Sequence, residues 1–247
     1  MRYAVVFGAG SIGRGFIGAS LSLSGWQVTF VEVLSGLVEQ LNRDGSYRQV
    51  VAGLGGESVN LCRGIRAVSF NDHDAVDAVL RDADLAATAV GAHNLPAVAA
   101  ALLRALPGRR AAGRPELDLL LCENLHAVAQ IMRSYMADYG DSLGLVAASV
   151  GRMVPTPAPD PAYPTQVKVE AYDLLPYDAT ALKGKPPDVQ GFIPVWHGFP
   201  MFADRKLYVY NMGHCVTAYL GELWGYEYIW EAIGDFGLRY LEAYSWV

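Results

Sequence analysis

Three polar residues in the run DRKLYVYNMGHCVTAYLG, Lys206, Asn211 and His214, are of the types that hydride transfer without a metal requires. The lysine is a candidate base for an alcohol proton, the asparagine an amide donor for a developing oxyanion, and the histidine a group to orient the substrate. If the run is helical, a step of about 100° per residue places His214 about 80° and Asn211 about 140° around the axis from Lys206. One face can then present all three. Leu207, Tyr210, Cys215 and Ala218 recur at roughly helical spacing, and the pattern extends through Tyr219 and Leu220 to Gly221, where the helix is expected to end. Tyr208, Val209 and Tyr210 pull locally toward a strand. The competing reading is a solvated lysine, a turn-forming asparagine and a packed histidine, and short polar spacings are common enough that the trio alone decides nothing.

The deciding context lies at the other end of the chain. An apolar run from Tyr3 to Phe7 leads into Gly8-Ala9-Gly10-Ser11-Ile12-Gly13, and the sequence continues through Arg14, Gly15, Phe16 and Ile17 toward Gly25. This is G-x-G-x-x-G between a predicted strand and a predicted helix, the setting in which the motif means dinucleotide binding. Gly8 permits the tight turn, Gly10 lets the backbone approach a pyrophosphate, and Gly13 allows close helix–strand contact. Ser11 and Ile12 complete the loop, and the helix N-terminus faces the negative charge. A second apolar strand, Val28 to Val33, carries Glu32 about twenty residues after the loop, where an acid accepts the ribose hydroxyls. That carboxylate favours NAD over NADP, because it would repel a 2′-phosphate and neither Val33 nor Leu34 supplies a compensating arginine.

The elements that must position these groups follow from periodicity. Strands and helices alternate through the first 150 residues, which predicts an α/β fold with a Rossmann-type doubly wound parallel sheet. A helix is expected around Leu37 to Asn42, short strands near Val50 and Val59, a helix through Val76 and Leu80 capped by Asn71 or Asp72, and a buried strand from Leu85 to Val90. Asn94 is expected to cap an alanine-rich helix running to Leu106. Then come a strand from Leu117 to Cys122, a helix from about His126 to Tyr139 and a strand from Leu143 to Val150. Five prolines lie between Pro155 and Pro164, yet Gln166 to Tyr172 alternates Val167, Val169 and Ala171 inward against Lys168, Glu170 and Tyr172 outward. A lone strand needs a sheet to join, so this one is expected to add an extra strand to the first domain's sheet. The domains are therefore expected at 1–195, binding the nucleotide, and 196–247, mainly α-helical and catalytic. Within the second, Ile229, Ile233, Phe236, Tyr240 and Tyr244 recur at three- and four-residue steps.

With 247 residues and 52% hydrophobic content, the chain can bury a substantial core. A net charge of −6 argues against a nucleic-acid surface, and the compact basic cluster Arg109, Arg110 and Arg114 sits in a Gly/Pro-rich stretch expected to be a solvated loop. Cys62, Cys122 and Cys215 are odd in number and widely spaced, which suits a reducing cytoplasm. Cys215 adjoins His214, but no second pair has ligand spacing, so no metal is expected. The chain enters its first strand at once and no apolar segment reaches membrane-spanning length, so a cytoplasmic protein without signal peptide or membrane partner is expected. The pattern specifies no oligomeric state.

The motifs GAGSIGRGFIG, VTFVEV, TAVGAHNLP, CENL, RMVP and DRKLYVYNMGHCVTAYLG, in that order, resemble the mannitol-1-phosphate 5-dehydrogenases of the polyol-specific long-chain dehydrogenase family over essentially the whole chain. The GAGxIGRGFIG and CEN forms resemble these sugar-phosphate enzymes more closely than the mannitol 2-dehydrogenases or uronate reductases. The resemblance implies metal-independent interconversion of mannitol 1-phosphate and fructose 6-phosphate with NAD. It implies Lys206 as the catalytic base, His214 as the substrate-orienting histidine, and Asn211 and Asn124 as oxyanion-stabilising amides. The implied cofactor set adds Val90, Gly91, Asn94, Glu123 and Asn124 to the glycine loop and Glu32. Three departures stand out: Gly151 precedes Arg152 where the family usually has aspartate, Asn211-Met212-Gly213-His214 replaces an NTGH form, and family members continue well past Trp246-Val247. Against that resemblance, either a shortened substrate domain with an apolar face left open is expected, or a sequence that is a piece of a longer protein. Arg152, Lys183, Lys185 and Arg205 are the basic candidates for a substrate phosphate.

Overall fold

The structure, a computed structural model, describes residues 1–53, 56–136, 139, 142–152, 154 and 160–234, apart from the Trp230 side chain. Residues 155–159 of the proline segment, and Phe236, Tyr240, Tyr244, Trp246 and Val247, lie outside the described residues. Two compact units are present, Met1–His197 and Gly198–Val247.

In the first unit, strands β1 (Tyr3–Phe7), β2 (Gln27–Glu32), β5 (Ile65–Ser69), β6 (Leu85–Thr88), β7 (Leu117–Leu121) and β8 (Leu143–Ala147) form one sheet in the order β5-β2-β1-β6-β7-β8. Every pairing is parallel. β6 and β7 are buried along their whole length because helices cover both faces, so they read as unbroken apolar runs. β1 divides its side chains between two cores. Val6 packs with Phe16, Ile17, Val28 and Phe30, while Val5 and Phe7 pack with Val31, Val76, Leu80 and Leu102. Each fully buried side chain of this kind contributes about 1.5–3 kcal/mol. The fold is the expected Rossmann-type doubly wound sheet.

A π-helical turn, Gly13–Gly18, follows the glycine loop and continues into α1 (Ala19–Leu23). Next come α2 (Ser35–Asp44), α3 (His73–Asp82), α4 (Leu95–Ala111) and α5 (Val128–Met136). Asp72, not Asn71, caps α3 by accepting the Ala75 N–H at 3.1 Å. Asn94 stands at the N-cap position of α4, but its side chain makes no capping bond: it closes a short 3₁₀ turn, Ala92–Asn94, and its amide donates to Val90 O instead. Nor is Arg109 a loop residue. It lies in the last turn of α4, only 3% exposed, and donates to the carbonyls of Leu80, Arg81, Ala83 and Pro115.

The extra strands depart most from expectation. β3 (Ser46–Gly53) and β4 (Gly56–Arg63) form a hairpin, and β9 (Val167–Glu170) pairs with β3 in a separate three-stranded sheet, not with the six-stranded one. The reason is geometric: the hairpin leaves an edge of β3 to pair, and β9 occupies it in parallel. Val167 and Val169 point inward as the alternation requires, but Ala171 lies past the strand and is exposed. β10 (Leu175–Asp178) and β11 (Phe192–Val195) form a further two-stranded ribbon in a stretch whose lysines and prolines mask it.

In the second unit, α6 (Phe199–Asp204) runs into a π-helical turn, Arg205–Tyr210, and on into α7 (Asn211–Leu223), followed by α8 (Ile229–Gly234). Helix wins over the local strand preference of residues 208–210. Gly221 is not a stop: it lies inside α7, buried, where an added Cβ would come 3.0 Å from the Ala232 Cβ of α8. Met201, Tyr208, Met212, Tyr219 and Leu223 are exposed. Among the described residues no helix is long and apolar enough to cross a membrane.

Candidate functional site

The nucleotide-site candidates of the first unit converge on the carboxyl ends of β2, β1, β6 and β7, four neighbouring strands with the order reversal between β1 and β6. Ligands of open α/β sheets bind at that reversal. Gly8 has φ +89°, and a Cβ there would lie 2.4 Å from the Ala89 carbonyl oxygen, so the tight turn is also a close approach between two loops. Gly13 allows an equally close contact, although its neighbour is the Gly8 carbonyl oxygen, which a Cβ would meet at 2.0 Å, rather than the strand. Nothing lies within 4 Å of a Cβ built on Gly10, so the loop presents bare backbone there, as a pyrophosphate requires. Ser11 and Ile12 are half-buried beside it. These features fit a dinucleotide.

Both carboxylates of the candidate set brace backbone. Glu32 is buried at the end of β2; one oxygen accepts the Ala9 N–H at 2.8 Å, and the other accepts those of Val33 and Leu34 at 2.7 and 3.1 Å. Glu123, likewise buried, accepts the Val90 and Gly91 N–H groups at 3.0 and 2.9 Å, tying the end of β7 to the β6–α4 loop. The oxygen that holds Ala9 accepts a single bond and keeps a second lone pair, so Glu32 can fix the loop and still accept a ribose hydroxyl. Asn124 follows Glu123 and is exposed. Asn94 is exposed too, with its amide also 3.1 Å from the His93 ring.

Arg14 was not among the sequence candidates, though a charge directly after the glycine motif is a signal. Its Nε donates to Ala9 O at 2.6 Å and its Nη1 to Thr165 O at 2.7 Å. A cavity of about 670 Å³, lined in part by Tyr3, Gln27, Arg66, Asp82 and Arg114, opens at the amino-terminal end of the strands, away from the glycine loop.

In the second unit, Lys206 lies in the π turn, Asn211 begins α7, and His214 is one α-helical turn further on. Lys206 and Asn211 are half-buried and His214 is exposed. Burial lowers the Lys206 ammonium pKa, the direction a lysine base needs. Of the phosphate candidates, Arg152 is buried, donates to Glu170 O and lies over the Phe16 ring, while the Lys183 backbone N–H is held by Asp118. Among the described residues no group of three or more His, Cys, Asp or Glu is placed to hold a metal ion.

The sequence profile of the mannitol dehydrogenase Rossmann domain matches residues 2–191. The chain is similar to a D-sorbitol dehydrogenase solved in substrate-free form, with TM-score 0.82 and 18% identity over 98% of this chain and 63% of that one. It is similar also to Pseudomonas fluorescens mannitol 2-dehydrogenase, solved as a ternary complex with NAD and D-mannitol, with TM-score 0.78 and 18% identity over 98% of this chain and 63% of that one. A PanE/ApbA family ketopantoate reductase from Ralstonia eutropha JMP134 matches with TM-score 0.60 and 17% identity over 100% of this chain and 73% of that one. At these identities the likeness is one of fold. The chain spans 63% of the length of either polyol dehydrogenase.

Proposed function

The chain belongs to the mannitol dehydrogenase family, and on that premise we propose that it interconverts mannitol 1-phosphate and fructose 6-phosphate as an NAD-dependent oxidoreductase. The cofactor is NAD, held by Gly8, Gly10, Ser11, Ile12 and Gly13, by Glu32, and by the loops carrying Val90, Gly91, Asn94, Glu123 and Asn124. When bound, NAD accepts the hydride from the carbinol carbon. Lys206, neutral when it acts, takes the proton from the hydroxyl on that carbon. Asn124 and Asn211 donate hydrogen bonds to the oxygen as its charge grows, each worth on the order of 2.7–4 kcal/mol in comparable sites. His214 orients the substrate. The observation that carries this reading is the Gly8–Gly13 loop beside the buried Glu32 carboxylate, and the half-burial of Lys206, which lowers its pKa, supports the base role.

The phosphate specificity rests on the GAGSIGRGFIG and CEN motif forms. A second reading, an unphosphorylated polyol or uronate, is favoured by Arg152, whose guanidinium is buried and committed to Glu170 O and Phe16. Following NADH absorbance with fructose 6-phosphate, fructose and a ketouronate separates the two. Oxidation with fructose 6-phosphate alone supports the first, oxidation with an unphosphorylated substrate supports the second, and NADH binding without turnover sinks both.

A further inference from the structure

The glycine loop is anchored on both sides of the segment that would meet a pyrophosphate. On one side Ala9 is fixed through its N–H to Glu32 and through its carbonyl to Arg14. On the other, two side chains of β3 reach the π-helical turn: Tyr47 Oη donates to Arg14 O at 2.6 Å and Gln49 Nε2 donates to Gly15 O at 2.8 Å. Arg14 closes the arrangement by donating to Thr165 O, just ahead of β9. Residues 10–13 thus span two fixed points, and one of those points belongs to the three-stranded accessory sheet.

Gln49 is an unusual choice for its place. It is 2% exposed, where an apolar residue would carry no cost of burying an amide. Its orientation is set as well, because its Oε1 accepts the Asn60 Nδ2 from the paired position on β4 at 2.9 Å, leaving Nε2 aimed at Gly15. Tyr47 is equally buried. A π turn is rare and occurs mostly as a single turn at functional sites; here its carbonyls are captured by donors from another sheet.

We infer that the accessory sheet is part of the nucleotide-binding machinery, with Gln49 and Tyr47 as positioning residues that set the orientation of the Gly10–Gly13 backbone N–H groups for the NAD pyrophosphate. Both act through the backbone of Arg14 and Gly15. This rests on the NAD reading above and is independent of which polyol is the substrate.

NADH titration by fluorescence, on the full chain, tests it. Gln49→Met removes the donor at nearly constant shape and is expected to raise the NADH Kd about tenfold; Tyr47→Phe removes one hydroxyl and is expected to raise it about threefold. Amide hydrogen exchange should quicken across residues 10–17, and the KM for ketose at saturating NADH should stay within about twofold of wild type. A purely structural role would lower thermal stability and leave the Kd of folded protein unchanged. Wild-type Kd values in folded Tyr47→Phe overturn the inference even if Gln49→Met fails to fold. Wild-type protein that does not bind NADH overturns the cofactor reading and this inference together, a result distinct from equal affinities.

Discussion

The carbonyl oxygen of Lys206 accepts the backbone N–H of Asn211, five residues further on. In an α-helix that bond would go to the residue four back, and the two side chains would point about 140° apart. The i→i+5 bond underwinds the turn and draws Asn211 toward the Lys206 face, so that the candidate base and the candidate amide donor share one side. His214, three residues after Asn211 and already in regular α-helix, stays on the same side. The π turn therefore does for the catalytic candidates what their spacing alone does incompletely.

Replacing Lys206 by methionine should reduce turnover by roughly 10²- to 10⁴-fold, the usual contribution of a general base, while the NADH Kd stays unchanged. The pH profile follows from the sign of its shift. Burial lowers the pKa, so polyol oxidation, which needs the neutral amine, should rise with pH through a midpoint below the ordinary lysine value, and ketose reduction, which needs the ammonium, should fall over the same window. The unfolded chain binds this proton more readily than the folded one, so Lys206 also lowers stability as the pH falls through its folded pKa. Full turnover in Lys206→Met removes it from the mechanism.

Much of this is legible in the sequence. Unbroken apolar runs located five of the six parallel strands, all but β5, whose Arg66 and Ser69 interrupt the run, and the Gly8 to Gly13 loop with Glu32 located the nucleotide end, because each feature is local. What stayed hidden is long-range or non-standard. β9 was legible as a strand, but nothing in Val167 to Glu170 says which edge it joins. β10 and β11 are four-residue strands beside lysines and prolines, too short to register a period. Arg109 was misread because its partners, the last carbonyls of α3, are almost thirty residues away. Both π turns were read as α-helix, since sequence carries no separate signature for an extra residue in a turn.

Glu32→Ala should weaken binding of both cofactors and reduce the preference for NAD over NADP. The first effect arises because Ala9 loses its acceptor, a charge-assisted bond worth about 1.5–3 kcal/mol. The second arises because the repulsion of a 2′-phosphate disappears. Paired titrations with NADH and NADPH read both at once, and an unchanged ratio would remove Glu32 from cofactor selection while leaving its bracing role.

Arg109→Met tests an architectural claim. The guanidinium satisfies carbonyls of Leu80, Arg81 and Ala83 at the end of α3 and of Pro115 ahead of β7, groups a helix end otherwise leaves orphaned. Removing it at similar volume should cost roughly 3 kcal/mol, seen as a lower denaturant midpoint. Because these carbonyls are far from the glycine loop, the NADH Kd of the folded variant should match wild type; weaker binding would show that the strain spreads through the sheet.

Glu123 and Asn124 are adjacent, yet their substitutions should fail differently. Glu123 spends both oxygens on Val90 and Gly91 N–H groups, so Glu123→Ala releases the β6–α4 loop and should raise the NADH Kd by about tenfold or more. Asn124 is exposed, and under the proposed chemistry its amide meets charge that exists only as the proton and hydride leave. Asn124→Ala should therefore lower kcat by about 10²–10³ with the NADH Kd nearly constant. Single-turnover kinetics beside equilibrium titration separates the two, and a kcat defect in Asn124→Ala no larger than its binding defect would take Asn124 out of the oxyanion role.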